Sequence, residues 1–439
     1  MRDALWKRQN VILSGGRIVD PANNLDAAGD LRVDEYAGVV RELVTGAGER
    51  LEAGPSERVI DCAGKVVCPG LIDIHVHLRV PGQEYKEDLD SGLRAAAAGG
   101  FTAIACMPNT NPFLDNAPVV RDLLAGAKAV GAARLHVIAA LAKYMANREL
   151  AEMGDMKEAG AVAVSDDAYS VQDAEFLRRA MEYAHMLDLP VLLHCENAAL
   201  TEGGAMNEGY TASVMGIRGL PREAYEMDVA RNALLSLLTG CHLHVLHVST
   251  AREVEIVRFF KSQGANLTAE TAPHYWCLTD EACRGYNTNA KMNPPLRTQT
   301  DCHAMIAGLA DGTLDCIATD HAPHARYEKE AEFGLAPFGI VGLETSLALG
   351  VTHLVRPGRL SLSDLVRRIS VEPARILSLP GGSLAPGTSA DVTVFDPDAR
   401  WMVEPDRFVS KGRNTPFAGH ELFGRARLTV VNGKVVHEG

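Results

Sequence analysis

The chain has 439 residues, too many for one ordinary core, and its 47% hydrophobic and 23% charged content is the mix of a soluble globular protein. A net charge of −13 argues against a nucleic-acid partner, and 5% aromatics offer no base-stacking surface. No apolar run approaches membrane-spanning length, and Met1-Arg2-Asp3-Ala4-Leu5-Trp6-Lys7 lacks the apolar core of a signal peptide. Nine scattered cysteines without a C-x-x-C pair suit a reducing, cytoplasmic setting.

In chain order, residues 11–20 read as a hairpin of short strands, and 31–33 and 59–61 as further strands with Gly- and Glu-rich turns between them. Eight strand-like runs follow, at 66–77, 101–107, 134–141, 160–166, 189–194, 242–248, 266–272 and 315–320. Helical patterns at 90–98, 117–130, 172–187, 229–238, 253–263 and 302–309 separate most of them. Alternating strands and helices of this number predict a (β/α)8 TIM-like barrel, with functional residues at the C-terminal strand ends. The segments 390–396 and 428–436 return to short strands, the latter with an Asn-Gly turn. Neither end has enough strand to close a sheet alone. The expectation is an α/β protein with a barrel at 66–380 and a small β-sandwich domain built from both termini, 1–65 and 381–439.

His75 and His77 close the first barrel run, and residues at i and i+2 of a strand share a face. Arg79 continues that alternation and supplies a fixed positive charge for an anionic substrate. Other runs end in Asp166-Asp167, His194, His247 and Asp320. His194 alone reads equally well as a packed histidine. Four histidines and two carboxylates at one barrel face do not, and they suit Zn²⁺ or a similar divalent ion. Six ligands exceed the roughly four of one tetrahedral zinc, so two ions are expected. Such a pair can share a hydroxide at neutral pH, with Asp320 as proton carrier. Alternation leaves two points open. His242 and His244 point together and His247 the other way unless the strand bulges, and Asp166 and Asp167 compete for one place. His274 and His321 read as structural, and His136, His185, His303, His353, His420 and His437 as surface or packed residues.

The string 73–79 with Pro81-Gly82 resembles the first-strand signature of dihydroorotases in the amidohydrolase superfamily. So do Met107-Pro108-Asn109-Thr110-Asn111-Pro112, Lys291-Met292-Asn293-Pro294-Pro295-Leu296-Arg297 and Ala318-Thr319-Asp320-His321-Ala322-Pro323-His324. Pro337-Phe338-Gly339-Ile340-Val341-Gly342 and Asn414-Thr415-Pro416-Phe417 add to the match, which runs from about residue 10 onward and is similar to the class I bacterial branch. The resemblance implies that His75, His77 and Asp320 hold one zinc, that His194 and His247 hold a second, and that Asp167 bridges both. It implies Asp320 as general base and then acid, and a substrate carboxylate on Arg79 and Asn109 with help from His324. His77 borders the same substrate site, and Asn293 with the Phe338-Gly339 backbone takes the ring amide. The implied reaction is reversible closure of N-carbamoyl-L-aspartate to (S)-dihydroorotate with loss of water, in pyrimidine synthesis. The implied assembly is a homodimer, with association with aspartate transcarbamoylase left open.

Hydantoinases and allantoinases carry a carboxylated lysine on the fourth strand, where this chain has Asp166-Asp167. Ala168 departs from the glycine usual in the class I branch. Two other readings are a different cyclic-amide hydrolase, such as a dihydropyrimidinase or allantoinase, and an inactive scaffold for a transcarbamoylase. Arg79, Asn109 and the missing lysine oppose the first, and the complete ligand set opposes the second.

Overall fold

A computed structural model describes residues 10–46 and 50–439. The leading segment read as lacking a signal-peptide core lies outside the described residues. Among the described residues, no helix is long and apolar enough to cross a membrane.

Two sheets organise the chain. The first strands are β1 (Val11–Asp20), β2 (Leu25–Asp34), β3 (Val39–Thr45), β4 (Arg58–Asp61) and β5 (Val66–Pro69). The barrel strands are β6 (Leu71–Val76), β7 (Phe101–Cys106), β8 (Arg134–Ala140), β9 (Ala161–Ser165) and β10 (Val191–Leu193). Short β11 (Met206–Asn207) and β12 (Gly219–Leu220) pair only with each other, outside the barrel. The barrel resumes with β13 (Leu243–Val245), β14 (Leu267–Thr271) and β15 (Cys316–Ile317), and the chain returns to the first sheet with β16 (Val392–Met402), β17 (Glu421–Val431) and β18 (Lys434–Glu438).

The parallel sheet runs β15-β14-β13-β10-β9-β8-β7-β6. It closes where Val76 bridges His321 and the His77 amide donates to the His321 carbonyl at 2.8 Å. Its interior holds Ile72, Ile74, Ala103, Ala105, Ile138, Ala163, Leu192, Leu246, Cys316 and Ala318, and Ala374, Ile376, Leu377 and Leu379 join the same cluster. Strands buried on both faces read as continuous apolar runs, which is why their positions are legible in the sequence. Helices cover the outside, among them Leu89–Ala98, Ala117–Val130, Ala174–Met186, Glu223–Thr239, Ala251–Ser262 and Gln299–Asp311. Thr250 and Glu253 form a reciprocal capping box that starts the fifth of these directly after the sixth barrel strand.

The second sheet runs β18-β17-β16-β5-β1-β2-β3, with β4 beside β1. Both ends of the chain supply its core, from Val11, Leu13, Val33 and Val67 to Val392, Val394, Leu428 and Val430. Asn432 and Gly433 form the predicted turn between β17 and β18, both with positive φ (51° and 81°), as a two-residue hairpin requires.

Two sequence expectations are corrected. Residues 11–20 are one strand with a register shift between Leu13 and Gly16, not a hairpin. The run 66–77 is two strands: β5 pairs with β1 and β16, and only β6 enters the barrel. The break falls at Gly70, a boundary that an unbroken apolar run conceals. A Cβ at Gly70 would lie 2.1 Å from Thr102 Oγ1 and 2.7 Å from Thr102 Cβ. Thr102 is buried and β-branched and cannot withdraw, so Gly70→Ala is expected to destabilise the fold by about 1–3 kcal/mol. A thermal unfolding midpoint equal to wild type would refute this.

Candidate metal centre

The expected ligands converge at the C-terminal mouth of the barrel. Ile72 and Ile74 face the interior, so unbroken alternation would turn His75 outward. A register shift between Asp73 and Val76 against β7 inserts one extra residue, and His75 and His77 then both face the mouth. Asp73 holds the irregularity by accepting from the amides of His75 (3.1 Å) and Thr319 (3.2 Å).

On β9, Ala163 faces inward and Val164 outward, which brings Asp167 in at the strand end. Asp166 turns away and accepts from the His194 amide (3.0 Å) and the Val171 amide (2.9 Å). Of the two aspartates, Asp167 is the one that lies beside the histidines. Ala168 is exposed and not among the positive-φ residues, so the departure from glycine imposes no left-handed backbone. His242 and His244 do point together, both onto Thr268 Oγ1, at 2.9 and 2.8 Å. His247 is re-aimed by a positive φ of 35° just beyond β13. Asp320, at the end of the eighth run, has φ 50°.

Asp167 stands between the four histidines with its oxygens divided. Oδ2 lies 3.4 Å from His77 Nε2 and 3.7 Å from His75 Nε2, whereas Oδ1 lies 3.5 Å from His194 Nδ1 and 3.8 Å from His247 Nε2. Asp320 Oδ1 is 3.1 Å from His77 Nε2 and 3.5 Å from His75 Nε2. All six side chains are buried.

The outward nitrogens of three rings are engaged. His75 Nδ1 lies 2.6 Å from Glu270 Oε1, His77 Nδ1 2.9 Å from Asn109 Oδ1, and His194 Nε2 2.6 Å from Glu196 Oε2. With each outer nitrogen donating to its oxygen partner, a cation at the centre would meet the lone pair of each inner nitrogen. Of the inner atoms, His75 Nε2 and Asp167 Oδ2 are buried without a hydrogen bond, His77 Nε2 lies 3.1 Å from Asp320 Oδ1, and His194 Nδ1 and His247 Nε2 face each other at 2.7 Å. Buried polar atoms left unpaired are costly, and divalent cations among them would satisfy the whole set. The donors fit such a group. Two triads, His75-His77-Asp320 and His75-Asp167-His247, have ligand atoms within 4.8 Å of one another. Burial works against the Asp320 carboxylate, but the His75 and His77 rings hold it well below the usual carboxylate range. Burial likewise opposes charge on His194, yet Glu196 draws that ring up to about 9.

Arg79 lies beside this centre, buried, with φ 63°, and its Nε donates to the Pro323 carbonyl at 3.2 Å. His324 is pushed down to about 2 by burial and by the charges of Arg79 and Lys86, and is neutral. Its Nε2 donates to the Phe338 carbonyl (2.8 Å), so the 3.4 Å approach of Arg79 to that nitrogen is a contact, not a hydrogen bond. Asn109 accepts from His77 Nδ1 through its side-chain oxygen. Asn293 donates to Glu196 Oε2 (2.7 Å) and accepts from the Tyr225 hydroxyl (2.6 Å), which leaves one N–H and one lone pair. Gly339 gives its amide to the Lys291 carbonyl and its carbonyl to Asn414 and Lys329.

Sequence reading missed Glu196 and Glu270. Both left a signal: Glu196 is at i+2 from His194, and Glu270 is an acid inside an apolar strand. His321 fits its structural reading, with Nδ1 accepting from the Gly342 amide and Nε2 near Glu87. The lysines nearest the fourth strand point elsewhere: Lys157 donates to the Leu187 carbonyl and Lys143 pairs with Glu149.

Residues 64–253 match the family model described as Dihydro-orotase-like. A protein of Pelobacter propionicus named Dihydroorotase is 49% identical over 98% of this chain and 99% of its own length. One of Acetivibrio thermocellus with the same name is 47% identical over 97% of this chain and 98% of its own. Among solved structures, the L-hydantoinase (dihydropyrimidinase) of Arthrobacter aurescens superposes with a TM-score of 0.86 at 27% identity, covering 98% of this chain and 96% of that one. The dihydropyrimidinase of Brevibacillus agri NCHU1002 gives 0.84 at 22% identity, covering 98% and 95%. The hydantoinases share the barrel and the terminal sheet, but near-half identity along nearly the entire length lies with the other group, and this chain belongs to the dihydroorotase family.

Proposed function

We propose that this protein interconverts N-carbamoyl-L-aspartate and (S)-dihydroorotate with a pair of zinc ions, held by His75, His77 and Asp320 on one side and His194 and His247 on the other, with Asp167 between them. The observation that carries the reading is the divided Asp167 carboxylate, which stands where hydantoinase relatives use a modified lysine. A bound zinc pair would supply acidity to water and polarise the ring carbonyl.

The protein's own side chains do the rest. In hydrolysis Asp320 takes the proton of the attacking water and returns it to the ring nitrogen as the amide bond breaks. It lies 3.1 Å from His77 Nε2 and 3.5 Å from His75 Nε2, at the mouth where the attacking water would be held. Arg79 meets the substrate carboxylate with its planar fork, Asn109 adds its amino group, and neutral His324, beside Arg79, borders the same place, as does His77. Asn293 and the Phe338 backbone take the ring amide, in a loop shaped by Gly339. A cytoplasmic setting, a homodimer, and association with a transcarbamoylase belong to the same reading. Sedimentation of the protein alone and with that partner tests the assembly.

The direct test is metal analysis of the purified protein with turnover of dihydroorotate set against hydantoin and allantoin. Zinc with dihydroorotate turnover alone is expected. Preference for either other ring would overturn the reading. Arg79→Lys keeps the charge and loses the fork, so KM for dihydroorotate should rise about 10- to 100-fold, as for a lost charged hydrogen bond of ~1.5–3 kcal/mol, with kcat changed little. An unchanged KM would remove Arg79 from the carboxylate site.

A further inference from the structure

Glu196 joins two parts of the site that are otherwise separate. Its Oε2 accepts from His194 Nε2 at 2.6 Å and from Asn293 Nδ2 at 2.7 Å. Tyr225, fully buried, fixes the other end of the Asn293 amide through its hydroxyl at 2.6 Å. The Tyr225 ring is in turn covered by the Arg297 guanidinium, 4.7 Å from its centroid. A single line of contacts therefore runs from Arg297 and Tyr225 through Asn293 and Glu196 to His194, whose Nδ1 faces Asp167 and His247.

We infer that Glu196 is a positioning residue that couples cation binding at the His194–His247 end to the grip of Asn293 on the substrate ring. The inference rests on the proposed metal-dependent function. A carboxylate behind a ligating imidazole fixes its tautomer and ring orientation and raises its basicity, and losing such a partner costs roughly 10- to 100-fold in metal affinity. Here the same oxygen also holds Asn293. The Asn293 N–H and the His194 ring donate to the same oxygen, and the Thr201 side chain also bonds the carboxylate. A displacement of His194 or of Asn293 moves the oxygen that the other is bonded to. Asn293 itself touches none of the proposed ligands, so an effect of Asn293 on cation affinity has to pass through Glu196.

The test is a double-mutant cycle on the full-length, metal-free protein, titrated with Zn²⁺ against a chromophoric chelator, with circular dichroism to confirm folding. Glu196→Gln should lower zinc affinity roughly 10- to 100-fold. Asn293→Ala should lower it at least threefold in the wild-type background and leave it unaltered in the Glu196→Gln background. At saturating zinc, Glu196→Gln should also raise KM for dihydroorotate severalfold. If Glu196→Gln does not fold, Glu196→Asp, one methylene short of His194, serves that arm. Unchanged or increased zinc affinity in Asn293→Ala, or a loss that persists without Glu196, overturns the coupling. The zinc titration reads the coupling whether or not the protein turns over dihydroorotate. Failure of the proposed function would instead appear as wild-type protein that binds no zinc or does not act on that ring.

Discussion

Replacing Asp320 with asparagine should lower kcat for dihydroorotate about 10²- to 10⁴-fold, the span of a lost general acid–base group. The substitution is nearly isosteric, so contacts to His77 and His75 at 3.1 and 3.5 Å can persist through the amide oxygen. The amide cannot take a proton from water and cannot return one to the ring nitrogen. KM should change far less than kcat, because Asp320 is not among the groups proposed to hold the carboxylate or ring amide. Steady-state kinetics with metal analysis of the same sample checks this. A kcat within about tenfold of wild type, with metal retained, lies below the effect expected of the proton carrier and would remove Asp320 from that role.

Asp167→Ala should be as severe for a different reason. The substitution removes a carboxylate whose two oxygens face both histidine pairs, the only such one among the described residues. Four buried imidazoles then face one another with Asp320 as the one carboxylate left among the proposed ligands. Zinc affinity should fall by more than the ~10- to 100-fold of an outer partner, and turnover with it. Asp166→Ala provides the contrast. Asp166 holds the His194 and Val171 amides, so its loss should cost about 1–3 kcal/mol of stability, with zinc still bound. Zinc retention in Asp167→Ala and zinc loss in Asp166→Ala would reverse the assignment of the two.

Sequence reading brought all six candidate ligands to one barrel face because each closes an apolar run. His194 follows plain alternation from Leu192, and apolar runs placed nearly every barrel strand. What escaped was local irregularity set by pairing with neighbours. The extra residue in β6 is fixed by its register with β7, and His247 is turned by one backbone angle, so neither leaves a mark in residue identity. The β5–β6 break was hidden because Pro69-Gly70 sits in an unbroken apolar run. Glu196 and Glu270 were passed over because a partner of a ligand is recognised only once the ligand's ring is placed.

The pairing of β5 with β16 has a consequence for how the protein is made. Cys68 Sγ meets the Thr393 carbonyl across 325 residues of chain. At ~5–20 residues per second, a ribosome takes roughly 15–65 s between these two strands. Throughout that interval Val66, Val67 and Cys68 lack their final neighbour, and the nascent chain carries an open apolar strand edge. β6 follows β5 directly, so the first stave of the barrel waits with it. Yield in a living cell should therefore depend on what shields that edge during synthesis, as well as on the stability of the finished fold.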